Sequence, residues 1–205
     1  MNKAVELILK EFEERSKREW EEIGRMETGE WQSQLDRFLL SVGPATGQFM
    51  NLLIKEAKAK SVLEVGSSFG YSTVWLAEAV RESGGVVTSL EIHPEKQKHA
   101  RASIEKAGLQ GFVDFKLGDA RESLRTLTRT FDFVLLDLWN DLYILCFDLF
   151  YPKLSPGALI VADNMIFPES YREEAAAYQK HIRTKPGIQS LLLPVGFGIE
   201  LSRYL

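Results

Sequence analysis

The stretch SVLEVGSSFGYST, residues 61–73, decides the fold. Its first five residues form a short apolar run that stops before Gly66, and from Tyr71 onward apolar positions recur at the helical period. That is the pattern of a buried strand feeding a helix. Working outward, four more runs of the same kind follow: VVTSLEI (86–92), FVDFKLG (112–118), FDFVLLD (131–137) and ALIVAD (158–163). Between them Tyr71 to Arg81, Pro94 to Ala107, Arg121 to Leu127 and Asp141 to Leu154 carry the 3.6-residue period. This β-α-β alternation predicts an α/β fold with a mostly parallel sheet and helices on both faces. The tail breaks the alternation. SLLLPV and GIELSRYL are separated only by a pivot at Gly196-Phe197, which predicts an antiparallel hairpin completing seven strands.

Upstream of residue 61, Val5, Ile8, Leu9 and Phe12 sit on one face of a helix covering the first twenty or so residues. A second short helix is expected over Trp31 to Leu40 and a third over Ala45 to Ala59, after the turn at Gly43-Pro44. The chain reads as one domain, 1–205, with residues 1–40 a helical arm or lid and 41–205 the ligand-binding core. At 205 residues it buries roughly 70% of its unfolded surface, enough to hold a pocket. A net charge of −4 argues against a nucleic-acid surface built on bulk positive charge and favours a small-molecule partner. Charges interrupt the N-terminus every few residues, so neither a signal peptide nor a membrane span is expected. The single cysteine, Cys146, lies within YILCFDLF and is read as core packing; a cytoplasmic setting and, by default, a homodimer are expected.

An open parallel sheet places its ligand at the carboxyl ends of the strands. Those ends carry Glu64 with Gly66, Glu91, Asp119, Asp137, and Asp163 with Asn164. Acids at strand ends also cap helices, which is the competing reading for each one alone. The glycines of VGSSFGYST have the spacing G-x-x-x-G, with Ser67 and Ser68 where a dinucleotide loop needs a middle glycine, so a pyrophosphate is disfavoured. A smaller anionic group, such as the carboxylate of an amino acid, fits a loop with backbone donors and the Ser72 hydroxyl. Glu91 lies 21 residues past Gly70, near the offset at which an acid grips ribose hydroxyls, and Asp119 can reach an adenine amine. Ribose, adenine and an amino-acid end without pyrophosphate add up to S-adenosylmethionine. His93 and His99 are read as solvated surface.

In this order and spacing, VLEVGSSFGYSTVWLA, TSLEIHPEK, LLDLWNDLY and ALIVADN resemble the cation-dependent class I O-methyltransferases of the catechol and caffeoyl-CoA type. SVGPATGQFM, residues 41–50, is similar to the segment that closes over the cofactor's methionine end in that family. The resemblance spans about residues 40 to 203 and implies a Rossmann-like methyltransferase fold. It assigns Val42, Glu64, Gly66, Ser67, Ser68, Gly70, Tyr71, Ser72, Glu91, Ile92, Asp119, Ala120 and Asp137 to the cofactor site, with Trp139 beside the adenine. Asp137, Asp163 and Asn164 match the family's metal ligands, here implying Mg²⁺ or a similar divalent ion. An all-oxygen set with two charges suits such a hard cation.

Three positions depart from the pattern: SLLLPV lacks the acid that some catechol members place on the penultimate strand, Leu138 stands where catechol members have a histidine, and the third bears directly on the chemistry. Catechol-type relatives carry a lysine directly after the tryptophan, and this chain has Asn140, which does not titrate near neutrality and orients rather than deprotonates. Three explanations remain open: a metal suffices beside Asp137, Asp141 acts through water, or the activity is lost. A nicotinamide-dependent oxidoreductase and a non-catalytic adenosylmethionine-binding protein are the other readings. The acceptor walls are expected from the N-terminal arm, the loop Met165-Ile166-Phe167, and Phe197.

Overall fold

A computed structural model describes residues 1–26, 34 and 36–205. Seven strands form one sheet in the order β3-β2-β1-β4-β5-β7-β6. They are β1 (Ser61–Val65), β2 (Val86–Glu91), β3 (Val113–Leu117), β4 (Phe131–Leu136), β5 (Leu154–Ala162), β6 (Ile188–Leu193) and β7 (Ile199–Tyr204). The pairs β1–β2, β2–β3, β1–β4 and β4–β5 are parallel. The pairs β5–β7 and β6–β7 are antiparallel. The expected parallel sheet with an antiparallel C-terminal pair is therefore present, and strand order reverses at β1, between β2 and β4, where the pocket opens.

The helices are α1 (Lys3–Ile23), α2 (Gly43–Ala57), α3 (Tyr71–Ser83), α4 (Pro94–Lys106), α5 (Ala120–Thr126), α6 (Tyr143–Phe150) and α7 (Arg172–Arg183). Strand alternation sends Val62, Val87, Phe133, Leu135 and Val161 into a core with α1 to α4. Leu63, Val65, Val134, Leu136 and Ile160 enter a second core with α5 to α7. Both faces of the central strands are thus buried, which is why they read as near-continuous apolar runs. Each such side chain, fully buried, contributes about 1.5–3 kcal/mol. Val5, Ile8, Leu9 and Phe12 of α1 join the first core, and the Asn2 side chain caps the helix by accepting from the Val5 N–H at 2.9 Å.

Three sequence expectations shift. The helix read over Trp31 to Leu40 lies largely outside the described residues; within it, Gln34, Asp36 and Arg37 are in helical turns. The helix read from Asp141 begins as a 3₁₀ turn over Asn140–Leu142, and its regular part is only Tyr143–Phe150. Helix α7 was not anticipated. Cys146 is buried in the second core, with its thiol pushed up to about 11 by burial, as core packing requires. No described helix is long and apolar enough to cross a membrane.

Candidate active site

The site grows from the carboxyl ends of β1, β2 and β4. Parallel pairing puts Glu64 opposite Ser89, and the Ser89 hydroxyl donates to Glu64 Oε2 at 2.6 Å. From the first turn of α3, Ser72 donates to Oε1 and Thr73 to Oε2, each at 2.7 Å. Glu64 has no solvent exposure, so burial raises its pKa to about 7 while the three hydroxyl donors pull against that rise. It braces the glycine loop from below and does not face the main cavity. Its hold on Ser72 also alters that residue's expected part: with its proton committed to Glu64, Ser72 can only accept toward a ligand, which suits an ammonium better than a carboxylate.

Gly66 adopts φ +97° and its backbone touches that of Asp137: a Cβ there would stand 2.1 Å from the Asp137 carbonyl oxygen. Only glycine lets the loop close down on the end of β4. The sheet ladder runs one residue past the strands, with Asp137 N–H donating to Val65 O at 3.0 Å and Asp163 N–H to Leu136 O at 3.2 Å. The two acids are therefore fixed by backbone as neighbours at adjacent strand ends.

Above them opens a cavity of about 540 Å³. Gly66, Ser68, Glu91, Ile92, Asp119, Ala120, Asp137, Trp139, Asn140 and Asn164 all contribute to its wall. A pocket of about 10 Å³ adjoins it, lined by Val42, Ser67, Ser68, Tyr71, Ser72 and Asp137. Gly70 stands outside both as the left-handed N-cap of α3, packed against Ala100. Glu91 is held by two backbone donors, Ser68 N–H to Oε2 at 2.7 Å and His93 N–H to Oε1 at 2.8 Å, leaving one lone pair on each oxygen for a vicinal diol. Asp119 caps α5 and grips the Arg121 guanidinium, which holds its carboxyl down at about 2.

The metal-side residues behave differently. Asp163 is 1% exposed and neither of its carboxylate oxygens has a hydrogen-bond partner among the described residues. Burial, reinforced by Asp137, raises its pKa well above the ordinary value, and burial with Glu64 nearby raises Asp137 to about 7. Asn164 turns back in the left-handed region at φ +58°, and among the described residues its side chain makes one hydrogen bond, its amide N–H donating to Phe167 O at 3.4 Å. Among the described residues no three His, Cys, Asp or Glu side chains form a metal-holding group, so a site here needs the Asn164 amide as its third ligand. A buried acid with no hydrogen-bond partner among the described residues, at a strand end adjacent to Asp137 and followed by Asn164, makes up the oxygen donor set a hard cation would satisfy.

A pH effect follows. In the window between the ordinary carboxyl values of 3.8 and 4.5 and the folded values near 7, the folded protein binds more protons at Asp137 and Glu64 than the unfolded chain does. Stability of the metal-free protein therefore falls as pH rises through that window. Thermal melting in a chelator is expected to give a lower Tm at pH 8 than at pH 5; a higher one contradicts the assignment.

Some site residues were not foreseen. His93 lines the cavity and faces Asp36 at 3.2 Å, so it is not the plain surface residue expected. His99 is exposed, as expected, with its ring against Phe69 O at 3.2 Å. Lys96 also lines the cavity, 9% exposed, near Glu91. Asp141 is exposed and off the cavity wall, which removes its main support as a base. Trp20, Phe167 and Phe197 come from three distant segments to one end of the cavity, with ring centroids 5.4 to 6.3 Å apart. The loop after Asn164 is pinned there by Ile166 and Phe167 N–H groups donating to Phe197 O, both at 3.0 Å.

The sequence profile of a family described as O-methyltransferase matches residues 14–205. Catechol O-methyltransferase of Niastella koreensis is 37% identical over 131 residues, which cover 62% of this chain and 59% of that relative. Caffeoyl-CoA O-methyltransferase 2 of Populus trichocarpa is 30% identical over 80% of this chain and 75% of its own length. Among solved structures, the cofactor-bound Rv0187 from MTB is 27% identical with a TM-score of 0.75, covering 80% of this chain and 82% of that one. The O-methyltransferase from Bacillus cereus in complex with SAH shares the fold across 100% of this chain and 92% of its own, at TM-score 0.79 and 24% identity. With a profile match over nearly its whole length, the chain belongs to the O-methyltransferase family.

Proposed function

We propose that this protein transfers a methyl group from S-adenosylmethionine to a hydroxyl of a small catechol-like aromatic acceptor, with a divalent cation, Mg²⁺ by its chemistry, at Asp137, Asp163 and Asn164. The observation that carries the reading is the pair of unpartnered Asp163 oxygens at the strand end adjacent to Asp137, which with Asn164 lines a cavity that also presents Glu91 with free lone pairs. The relatives named for catechol and caffeoyl-CoA methylation support the acceptor class.

In this arrangement Glu91 accepts the ribose hydroxyls, Asp119 and Trp139 flank the adenine, and Ser72 with the loop backbone receives the amino-acid end. Trp20, Phe167 and Phe197 wall the acceptor ring. Transfer is an in-line displacement, in which the acceptor oxygen attacks the sulfonium methyl and the thioether leaves as a neutral sulfide; alignment by these walls is the first contribution. The second is ionisation: a phenol with a pKa near 10 is only about one part in a thousand anionic at pH 7. A bound divalent ion supplies positive charge that favours the anion of a chelating diol. Asn140, 4% exposed on the cavity wall, orients a hydroxyl or water there without removing its proton.

The test is incubation of purified protein with radiolabelled S-adenosylmethionine, Mg²⁺ and catechol. Labelled monomethyl ether is the expected product. Cofactor binding by calorimetry without label transfer to any vicinal diphenol would leave only an adenosyl-binding protein.

A further inference from the structure

We infer that Glu19, on the N-terminal helix and outside the cavity wall, is a positioning residue that sets the shape of the cofactor pocket at its amino-acid end. The inference rests on the reading of that pocket as an adenosylmethionine site. Residues Leu39 to Val42 form one wall of the small pocket, and Ser67, Ser68, Tyr71 and Ser72 form the other. The Leu39 peptide is held from both sides. Its N–H donates to Glu19 Oε2 at 2.6 Å, and its carbonyl accepts from the Ser68 hydroxyl at 3.2 Å. Glu19 is itself oriented by Arg15, whose Nε donates to Oε1 at 2.6 Å, and the Arg15 guanidinium lies 3.8 Å over the ring of Phe69 in the glycine loop. Glu13 adds an acceptor for the Tyr71 hydroxyl at 3.1 Å, and the Ser16 and Ser41 hydroxyls meet at 3.2 Å.

One face of α1 therefore grips both walls of the pocket, and the Arg15–Glu19 pair joins them. The pair is largely shielded, with side chains 25% and 16% exposed, so the charge-assisted bond to Leu39 N–H is stronger than a surface contact. Leu39 leads directly into Leu40, which bends through φ +46°. A shift of the Leu39 peptide is carried into the backbone of Leu40, Ser41 and Val42, and so into the wall facing the ligand. The acceptor end, built from Trp20, Phe167 and Phe197, shares helix α1 with Glu19 through Trp20 but makes no hydrogen bond to the Glu19 carboxylate among the described residues. The role predicts an effect on the cofactor that is separable from the acceptor.

The test measures S-adenosylhomocysteine affinity by calorimetry and steady-state kinetics for Glu19→Ala and Glu19→Gln. Glu19→Ala is expected to weaken binding about tenfold, the scale of one charge-assisted hydrogen bond. Glu19→Gln keeps an acceptor for Leu39 N–H and is expected to recover most of that loss. The acceptor KM, and kcat at saturating cofactor, are expected to stay within about twofold of wild type in both. Unchanged affinity in Glu19→Ala overturns the inference, as does a parallel rise in acceptor KM, which marks general loosening of the fold. If Glu19→Ala does not fold, Arg15→Met reports on the same pair, and unchanged affinity there overturns it equally. Wild-type protein that binds no S-adenosylhomocysteine sinks the proposed function itself, a different outcome from a wild type that binds and a variant that binds as well.

Discussion

Replacing Asp163 by Asn is expected to lower methyl transfer by at least about 10²- to 10³-fold while raising the Tm of the metal-free protein. The two effects have one cause. Asp163 sits 1% exposed with both carboxylate oxygens unpartnered and the Asp137 carboxylate close by. Without a cation, the folded chain must either bury that charge or take up a proton to neutralise it, and both cost stability. An isosteric amide removes that cost, along with the charge that a divalent ion needs from its ligands. A residue kept only for structure behaves in the opposite way: its replacement lowers Tm. Chelation of wild-type protein is expected to reproduce the loss of activity, and excess Mg²⁺ to restore wild type but not Asp163→Asn. Activity that survives both chelation and the substitution removes the cation from the mechanism. A variant that is inactive and also less stable in chelator marks Asp163 as a structural acid.

The acids at the strand ends were legible because each closes an apolar run, and a parallel sheet gathers such ends at one edge whatever the loops do. Glu64, Glu91, Asp119, Asp137 and Asp163 could thus be singled out without knowing a contact distance. Their individual parts were less legible. Glu64 and Asp163 lie off the cavity wall and Glu91 and Asp119 on it; Glu64, in register with Ser89, leaves from the same sheet face as Glu91 but two residues deeper in the sheet, a difference of depth that alternation does not report. Helix α7 was missed although Ala175, Tyr178 and Ile182 repeat at helical spacing on its buried face, because an alanine gives little apolar signal among five charged neighbours. Strand β5 starts at Leu154, earlier than the apolar run at Ala158, because pairing with β4 shifts register between Phe131 and Phe133 and so accommodates Pro156 and Gly157. Contacts such as Glu19 to Leu39, or Trp20 to Phe197, join residues far apart in the chain and leave no periodic trace.

Asn140→Lys is expected to raise kcat for catechol by about 10- to 100-fold at pH 8, toward the range that a positioned general base contributes. Position 140 is on the cavity wall, 4% exposed, in the 3₁₀ turn that follows Trp139, and its amide nitrogen is 3.5 Å from the Asn164 carbonyl. An amine introduced there enters the cavity beside Asp137 and the loop of Asn164. Burial works to depress an ammonium pKa, and a divalent ion at the neighbouring acids adds like-charge repulsion in the same direction, so part of the population is neutral and able to accept the phenol proton. The longer side chain crowds the turn, at a cost of about 1–3 kcal/mol in stability, so a lower Tm alongside a higher rate is consistent. The pH–rate profile separates two explanations of the native asparagine. If the wild-type rate climbs with the acceptor's own ionisation and the variant's climbs earlier, the native site relies on the cation alone and suits acceptors already inclined to ionise. If the variant is no faster at any pH, deprotonation does not limit the native reaction, and Asn140 serves instead to orient the acceptor through its amide.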